Sequence, residues 1–291
     1  MKLKLVAVAA VLIGVVGGAV FNNYAPTSAA VSRPAVFFVP HQDDEILSMG
    51  ASIVAHLKAG RDVKVVVVGD GTATGARITL CTQKNICLTP QQIGEARDLE
   101  FRDAMARIGV PAQNLYFEHK PEAHIDNAVA NEVISKYVAL FGTDASYVTM
   151  SWLDAHHDHY NLGYALNSRC VPRGKAGVTP PQLTDCRFYQ SALYQPATPT
   201  NKLPNFDRVA TPAGGYYTMT GADATRLRNA AAAYSVFNPE IGRYGIGVLS
   251  VASQFDYLLA TPRSWYHLPS TGWSTVLAKA NSLDFVSRYQ F

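Results

Sequence analysis

Four short apolar runs, separated by segments with helical periodicity, constrain this chain more than any other feature. Ala35–Val39 reads as a buried strand, Val63–Val68 as a second strand rich in β-branched residues, Leu115–Phe117 as a third and Ser146–Ser151 as a fourth. Helices are predicted between them, over Glu45–Ala59, from Pro90 to Ile108 and over Asp126–Phe141. On the first helix Ile46, Gly50, Ile53, Val54 and Leu57 share one face, and Gly60 ends it. The second opens with Thr89 as N-cap and Pro90 at the first helical position, where the missing N–H costs nothing. Such alternation predicts an α/β fold, a three-layer sandwich around a mostly parallel sheet. Right-handed crossovers then carry the turns after the first, second and fourth strands to one edge, where open α/β sheets bind ligands.

Beyond the fourth strand the pattern is less regular. Phe188–Tyr194 and Tyr216–Met219 read as strands, Ala222–Ala233 as a helix, and Asn238–Gly247 as turn-rich chain. Pro196–Asn205 reads as a long loop rather than a domain boundary, and no internal repeat is present. Residues 73–89 and 169–187 read as irregular loop inserts, each holding two of the cysteines. The even count fits disulfides, and Cys81–Cys87 with Cys170–Cys186 is the favoured pairing because each pair brackets one polar loop. Four free thiols or a zinc site are the alternatives, although the spacings do not resemble a zinc ribbon.

The first thirty residues read as an export signal. Lys2 and Lys4 precede the apolar and glycine stretch Leu5–Val20, and Ser28-Ala29-Ala30 supplies small residues for cleavage. The expected organisation is a signal peptide over residues 1–30 and one domain over 31–291, placing the protein in the periplasm or outside the cell. An uncleaved anchor is the less favoured alternative, because a spanning helix needs roughly 20 apolar residues. The charge balance of 25 − 22 = +3 becomes 23 − 22 = +1 once the two leading lysines are gone. No clustered basic face argues for nucleic acid. Near-neutral charge with many aromatics suits a small neutral partner such as a sugar, and no obligate protein partner is evident.

The chemistry concentrates in two clusters. His41-Gln42-Asp43-Asp44-Glu45 follows the first strand, and Asp154-Ala155-His156-His157-Asp158-His159 follows the fourth. A divalent metal held by His41, Asp44 and His159 would keep positions open for water and substrate, and a bound zinc lowers the pKa of its water to about 7. Asp43 would then take the water's proton. His156 would protonate the leaving group or stabilise an oxyanion, and Asp158 would hold a histidine ring in one tautomer. Each cluster has a plainer reading: Asp43-Asp44 as helix caps, the histidines as a solvated loop. Their joint position at the ends of two strands of one sheet favours a site. Asp70, in the turn Gly69-Asp70-Gly71-Thr72, would meet substrate or only serve the turn. Trp152 would stack on a sugar ring or only pack. His56, His119, His124 and His267 read as surface or core residues.

His41–Glu45 resembles the H-P-D-D-E signature of the PIG-L/LmbE-like N-acetylglucosaminyl deacetylases, and His156-His157-Asp158-His159 resembles their later H-P-D-H signature. Arg97, Glu100, Ala104, Ile108 and Gly109 are similar to the family's R-x-x-E-x-x-x-A-x-x-x-L-G helix, and residues 69–72 to its turn after the second strand. The resemblance covers about residues 34–165. It implies a Rossmann-like fold without a nucleotide and zinc, or another divalent metal, on His41, Asp44 and His159. It further implies Asp43 as general base, His156 as electrophile or acid, and Arg97 reaching a substrate hydroxyl or phosphate. The implied reaction is release of acetate from an N-acetylglucosamine-type sugar or glycoconjugate. Gln42 and His157 stand where both signatures carry proline. Two other classes fit the same residues: a carbohydrate-binding protein keeping an old metal pocket, and an iron oxygenase with a two-histidine, one-carboxylate triad.

Overall fold

The computed structural model describes residues 33–154, 156–170, 182–191 and 214–269. The expected signal segment and the loop Pro196–Asn205 lie outside the described residues. A seven-stranded sheet has the order β3 (Leu115–Lys120), β2 (Val63–Gly69), β1 (Ala35–Val39), β4 (Ser146–Met150), β5 (Asp185–Tyr189), β9 (Arg263–His267) and β6 (Gly214–Thr218). The first five strands are parallel, while β9 runs antiparallel to both β5 and β6. The expectation of an α/β fold around a mostly parallel sheet holds, with the antiparallel strand β9 making the sheet mixed. A two-residue hairpin, β7 (Phe237–Asn238) and β8 (Arg243–Tyr244), stands apart.

Strand β1 shows why three layers form. All five of its side chains are buried, and successive residues point to opposite faces. Phe37 and Val39 join the core beneath α2 (Gly50–Lys58), α4 (Pro90–Ile108) and α7 (Gly221–Ala231); Val36 and Phe38 join the core beneath α5 (Asn127–Phe141) and α6 (His157–Cys170). Each such large side chain contributes about 1.5–3 kcal/mol by leaving water. Thr89 and Gln92 close a capping box at the start of α4, and Asp126 caps α5 by accepting from the Val129 N–H.

The structure corrects four expectations. The helix predicted over Glu45–Ala59 is two, α1 (Asp44–Leu47) and α2, because the chain turns at Ser48-Met49. The segment 73–89 is not irregular throughout, since it contains α3 (Ala76–Lys84). Strand β5 begins at Asp185, inside the supposed second insert, and α6 runs to Cys170. The helix α8 (Ile246–Ala260) and strand β9 escaped the sequence reading; α8 is interrupted at Val251 (φ −142°, ψ 48°), which breaks its periodicity.

Both expected disulfides are present, Cys81–Cys87 joining α3 to the segment just after it and Cys170–Cys186 tying the end of α6 to β5. No described helix is long and apolar enough to cross a membrane. The Cys170–Cys186 bond closes a separation of 16 residues. Replacing both cysteines with alanine should lower the unfolding free energy in urea by about 3 kcal/mol, from the unfolded-chain entropy restored. An unchanged midpoint and slope would remove that contribution.

Candidate active site

The loops after β1, β2, β3 and β4 meet at the carboxyl edge of the parallel strands. Pairing of β1 with β4, Phe37 opposite Val148, sets the two sequence clusters side by side. Gly163 lets α6 lie against the end of β4, since a Cβ there would stand 2.6 Å from the Met150 carbonyl oxygen. His159, in the first turn of α6, thereby reaches the loop after β1.

Three atoms from these loops form a near-equilateral triangle. His41 Nδ1 is 3.2 Å from Asp44 Oδ2, His159 Nε2 is 3.1 Å from the same oxygen, and the two ring nitrogens are 3.3 Å apart. A tetrahedral ion with N and O ligands at ~2.0–2.1 Å needs ligand atoms roughly 3.3 Å apart, so the donor set and its spacing fit a divalent metal. His156 brings a third imidazole; the ligand atoms of His41, His156 and His159 lie within 4.8 Å of one another. His156 stands farther out and is exposed.

The outer nitrogen of each buried imidazole faces an acid, as ligand histidines require for a fixed orientation. His41 Nε2 is 3.0 Å from Asp158 Oδ2, and His159 Nδ1 is 3.1 Å from Asp154 Oδ2, although the latter pair lies off hydrogen-bond alignment. Asp158 is itself held by the Ala123 and Ile125 N–H groups. Burial lowers the His41 pKa, but hydrogen bonds to Asp158 and Asp44 outweigh it and lift the pKa to about 9. Burial likewise opposes the charge on His159, yet Asp44 and Asp154 carry its pKa well above the ordinary value. Burial also opposes the charge on Asp44, and the two imidazoles overcome it and hold this carboxylate ionised.

Asp43 points elsewhere. Its backbone adopts φ 121° and ψ −32°, a left-handed conformation costing a non-glycine residue about 1–3 kcal/mol. It occupies the N-cap position of α1, yet its side chain makes no capping hydrogen bond. Arg97 Nη2 donates to Asp43 Oδ2 at 3.1 Å and to the Gln42 carbonyl at 2.5 Å. Burial drives the Asp43 pKa up to about 7 despite the Arg97 charge, with Asp44 adding repulsion. Although the edge of His156 meets solvent, loss of water around its inner ring face, with His159 and His41 beside it, lowers its pKa to about 3 and keeps that ring neutral. Its Nδ1 accepts from the Asp158 N–H at 3.3 Å, which leaves the proton on Nε2.

The remaining site candidates fall differently. Arg97 is buried and faces Asp43 and Gln42 rather than open solvent. Asp70 Oδ1 accepts from the Thr72 N–H, the Thr72 hydroxyl and the Glu122 N–H, so it joins two loops. Trp152 is 4% exposed, with ring contacts to Phe188 and His267, and the packing alternative describes it. Gln42, in the signature proline's place, donates to Asp98 Oδ1 at 2.7 Å. Sequence reasoning gave no role to Glu122, 3.9 Å from His41 Nε2 and 3.8 Å from Arg97 Nη1. Its place after the third strand was the available signal. Asp154 stood inside the quoted cluster without an assignment.

Residues 36–170 match the sequence model of the PIG-L family, described as GlcNAc-PI de-N-acetylase. That segment belongs to the PIG-L family. No curated protein matches the chain. Among solved structures, the chain is similar to an A40926 pseudoaglycone deacetylase at 19% identity and TM-score 0.52, covering 83% of this chain and 100% of that one. A zinc-inhibited form of teicoplanin deacetylase aligns at 16% identity and TM-score 0.52, covering 82% and 99%. The 4-carboxy-2-hydroxymuconate hydratase of Pseudomonas putida aligns at 13% identity and TM-score 0.50, covering 89% and 92%. At these identities the likeness shows a shared fold, and the PIG-L assignment rests on the sequence match and its motifs.

Asp158→Ala should weaken divalent-metal affinity about 10–100-fold in chelator competition, because the ring of His41 loses its acceptor; unchanged affinity would free Asp158 of that role. Metal binding at pH 7 should release about two protons per ion, since His41 and His159 hold protons there and a ligand nitrogen must give its proton up. Calorimetry in buffers of different ionisation enthalpy reads that number, and zero release would contradict the pairing. In the ion-free protein, the stabilisation from His41 is full below pH 6.5 and disappears as pH rises through about 9.

Proposed function

We propose that this protein is an exported, zinc-dependent N-deacetylase that hydrolyses the acetamido group of an N-acetylglucosamine-type sugar or glycoconjugate. The observation that carries this reading is a metal-sized triangle of His41, Asp44 and His159 beside a second carboxylate, Asp43, that takes no part in it. When bound, the ion would supply Lewis acidity and an acidified water.

The chain's own residues supply the rest. Asp43 accepts the proton of the attacking water, and a carboxyl raised to about 7 by burial is matched to that task near neutral pH. Arg97 holds Oδ2 of Asp43 in one place, so the other oxygen can face the water. His156 offers the Nε2–H to the oxygen on which charge develops, and the backbone of Asp158 fixes its tautomer. Asp158 and Asp154 keep the two ligand rings turned inward. Two disulfides accord with an oxidising compartment.

The names of similar proteins support sugar conjugates as the substrate class: the family description is GlcNAc-PI de-N-acetylase, and the structural neighbours include a teicoplanin deacetylase and an A40926 pseudoaglycone deacetylase. Zinc is the first metal to test, with manganese, cobalt and iron beside it. Acetate release should be screened across free sugars, glycosides, chitin oligomers and peptidoglycan fragments. Asp43→Asn should lower kcat by about 10²–10⁴-fold while metal content stays at the wild-type value. Full activity in that variant, or bound metal with no acetate from any substrate, would reject the proposal.

A further inference from the structure

The left-handed backbone of Asp43 is held from outside the matched family segment. The Asp43 N–H donates to Glu45 Oε2 at 2.9 Å, and Glu45 Oε1 accepts a hydrogen bond from the Tyr234 hydroxyl. Glu45 and Tyr234 are both completely buried, and 189 residues separate them in sequence. Tyr234 lies in the 3₁₀ turn Ala232–Ser235 that follows α7. Its ring is fixed on two sides. Gly247 of α8 lies flat against it, where a Cβ would come within 2.5 Å of Cδ1, and Phe255 packs at a centroid distance of 5.5 Å. Gly247 is fixed in turn, because Glu100 of α4 accepts from the Ile246 and Gly247 N–H groups.

We infer that Tyr234 and Glu45 are positioning residues that hold the Asp43 peptide in its left-handed conformation and so aim the Asp43 carboxylate away from the metal triangle. The inference rests on the proposed deacetylase reading only for its kinetic consequence. The geometric need is general. In extended or helical backbone, adjacent side chains diverge by a fixed angle set by that structure. Here Asp44 Oδ2 meets His41 and His159 while Asp43 Oδ2 meets Arg97. A conformation with φ 121° persists in a non-glycine residue only where its surroundings over-determine it. The Glu45 carboxylate grips the peptide N–H, and the Tyr234 hydroxyl fixes the carboxylate's far oxygen. Glu45→Gln can keep both contacts, with its amide oxygen accepting from Asp43 and its amide nitrogen donating to the tyrosine oxygen. Tyr234→Phe cannot.

The test pairs these variants. Tyr234→Phe should lower kcat at least about tenfold with KM within about twofold, since misplacing a reacting group costs chemistry more than binding. Bound metal should stay at the wild-type stoichiometry, and Glu45→Gln should retain kcat within about threefold. Wild-type kcat in Tyr234→Phe, or a loss carried by KM or metal content, would overturn the inference. Crystal structures provide a readout independent of activity. Asp43 should relax from positive φ in Tyr234→Phe and keep it in Glu45→Gln; an unchanged φ in Tyr234→Phe would overturn the inference. Should Tyr234→Phe fail to fold, relaxation of Asp43 in Glu45→Gln would overturn it, and retention together with wild-type kcat would support it. A wild-type protein that releases no acetate would reject the deacetylase reading, while the backbone comparison would still decide this one.

Discussion

Side-by-side pairing of β1 and β4 is the constraint on which the site depends. The two strands belong to segments more than a hundred residues apart, and the parallel register ends both at the same edge. Each is buried along its full length, so a shift of one residue would reverse every side chain between the two cores. The hydrophobic layers therefore fix the register, and the register fixes the distance between His41 and His159. Metal affinity would come from a geometry already set by apolar packing.

Around that centre the acids divide the work by position. Asp44 faces both imidazoles. Asp158 and Asp154 stand behind them, and Asp43 is drawn off by Arg97. Chemically identical groups thus acquire different proton affinities. Burial raises Asp43, whereas imidazole partners outweigh burial and depress Asp44 and Asp158. Without an ion, protons on the histidines balance this negative charge, which links ion uptake to proton loss.

Much of this was legible in the sequence. The alternation of apolar runs with periodic helices gave the parallel half of the sheet, and the cap at Thr89 marked the start of its helix. The metal-sized triangle and Asp158 were visible because both clusters follow strands. What escaped had physical reasons. Helix α8 is kinked at Val251, so no single periodic face exists to be read. Strand β9 pairs antiparallel at the far side of the sheet, without the strand–helix rhythm of the first half. The resemblance has Arg97 reaching a substrate group and leaves Trp152 between stacking and packing; Arg97 faces Asp43 and Trp152 packs on Phe188, because side-chain direction depends on packing that spacing does not encode. Tyr234 had no local signal, because its meaning lies in a carboxylate from the other end of the chain.

Helix α4 joins two of these arrangements. Arg97 and Glu100 are one turn apart on it; the first grips the loop that carries Asp43, and the second anchors the start of α8. A tilt of this single rod would displace both grips together. Substitutions at the two positions should therefore be epistatic, each altering the cost of the other. Drift in the C-terminal helices would be coupled to drift in the loop that carries Asp43, and grafting either half from a distant homologue would require its matching partner.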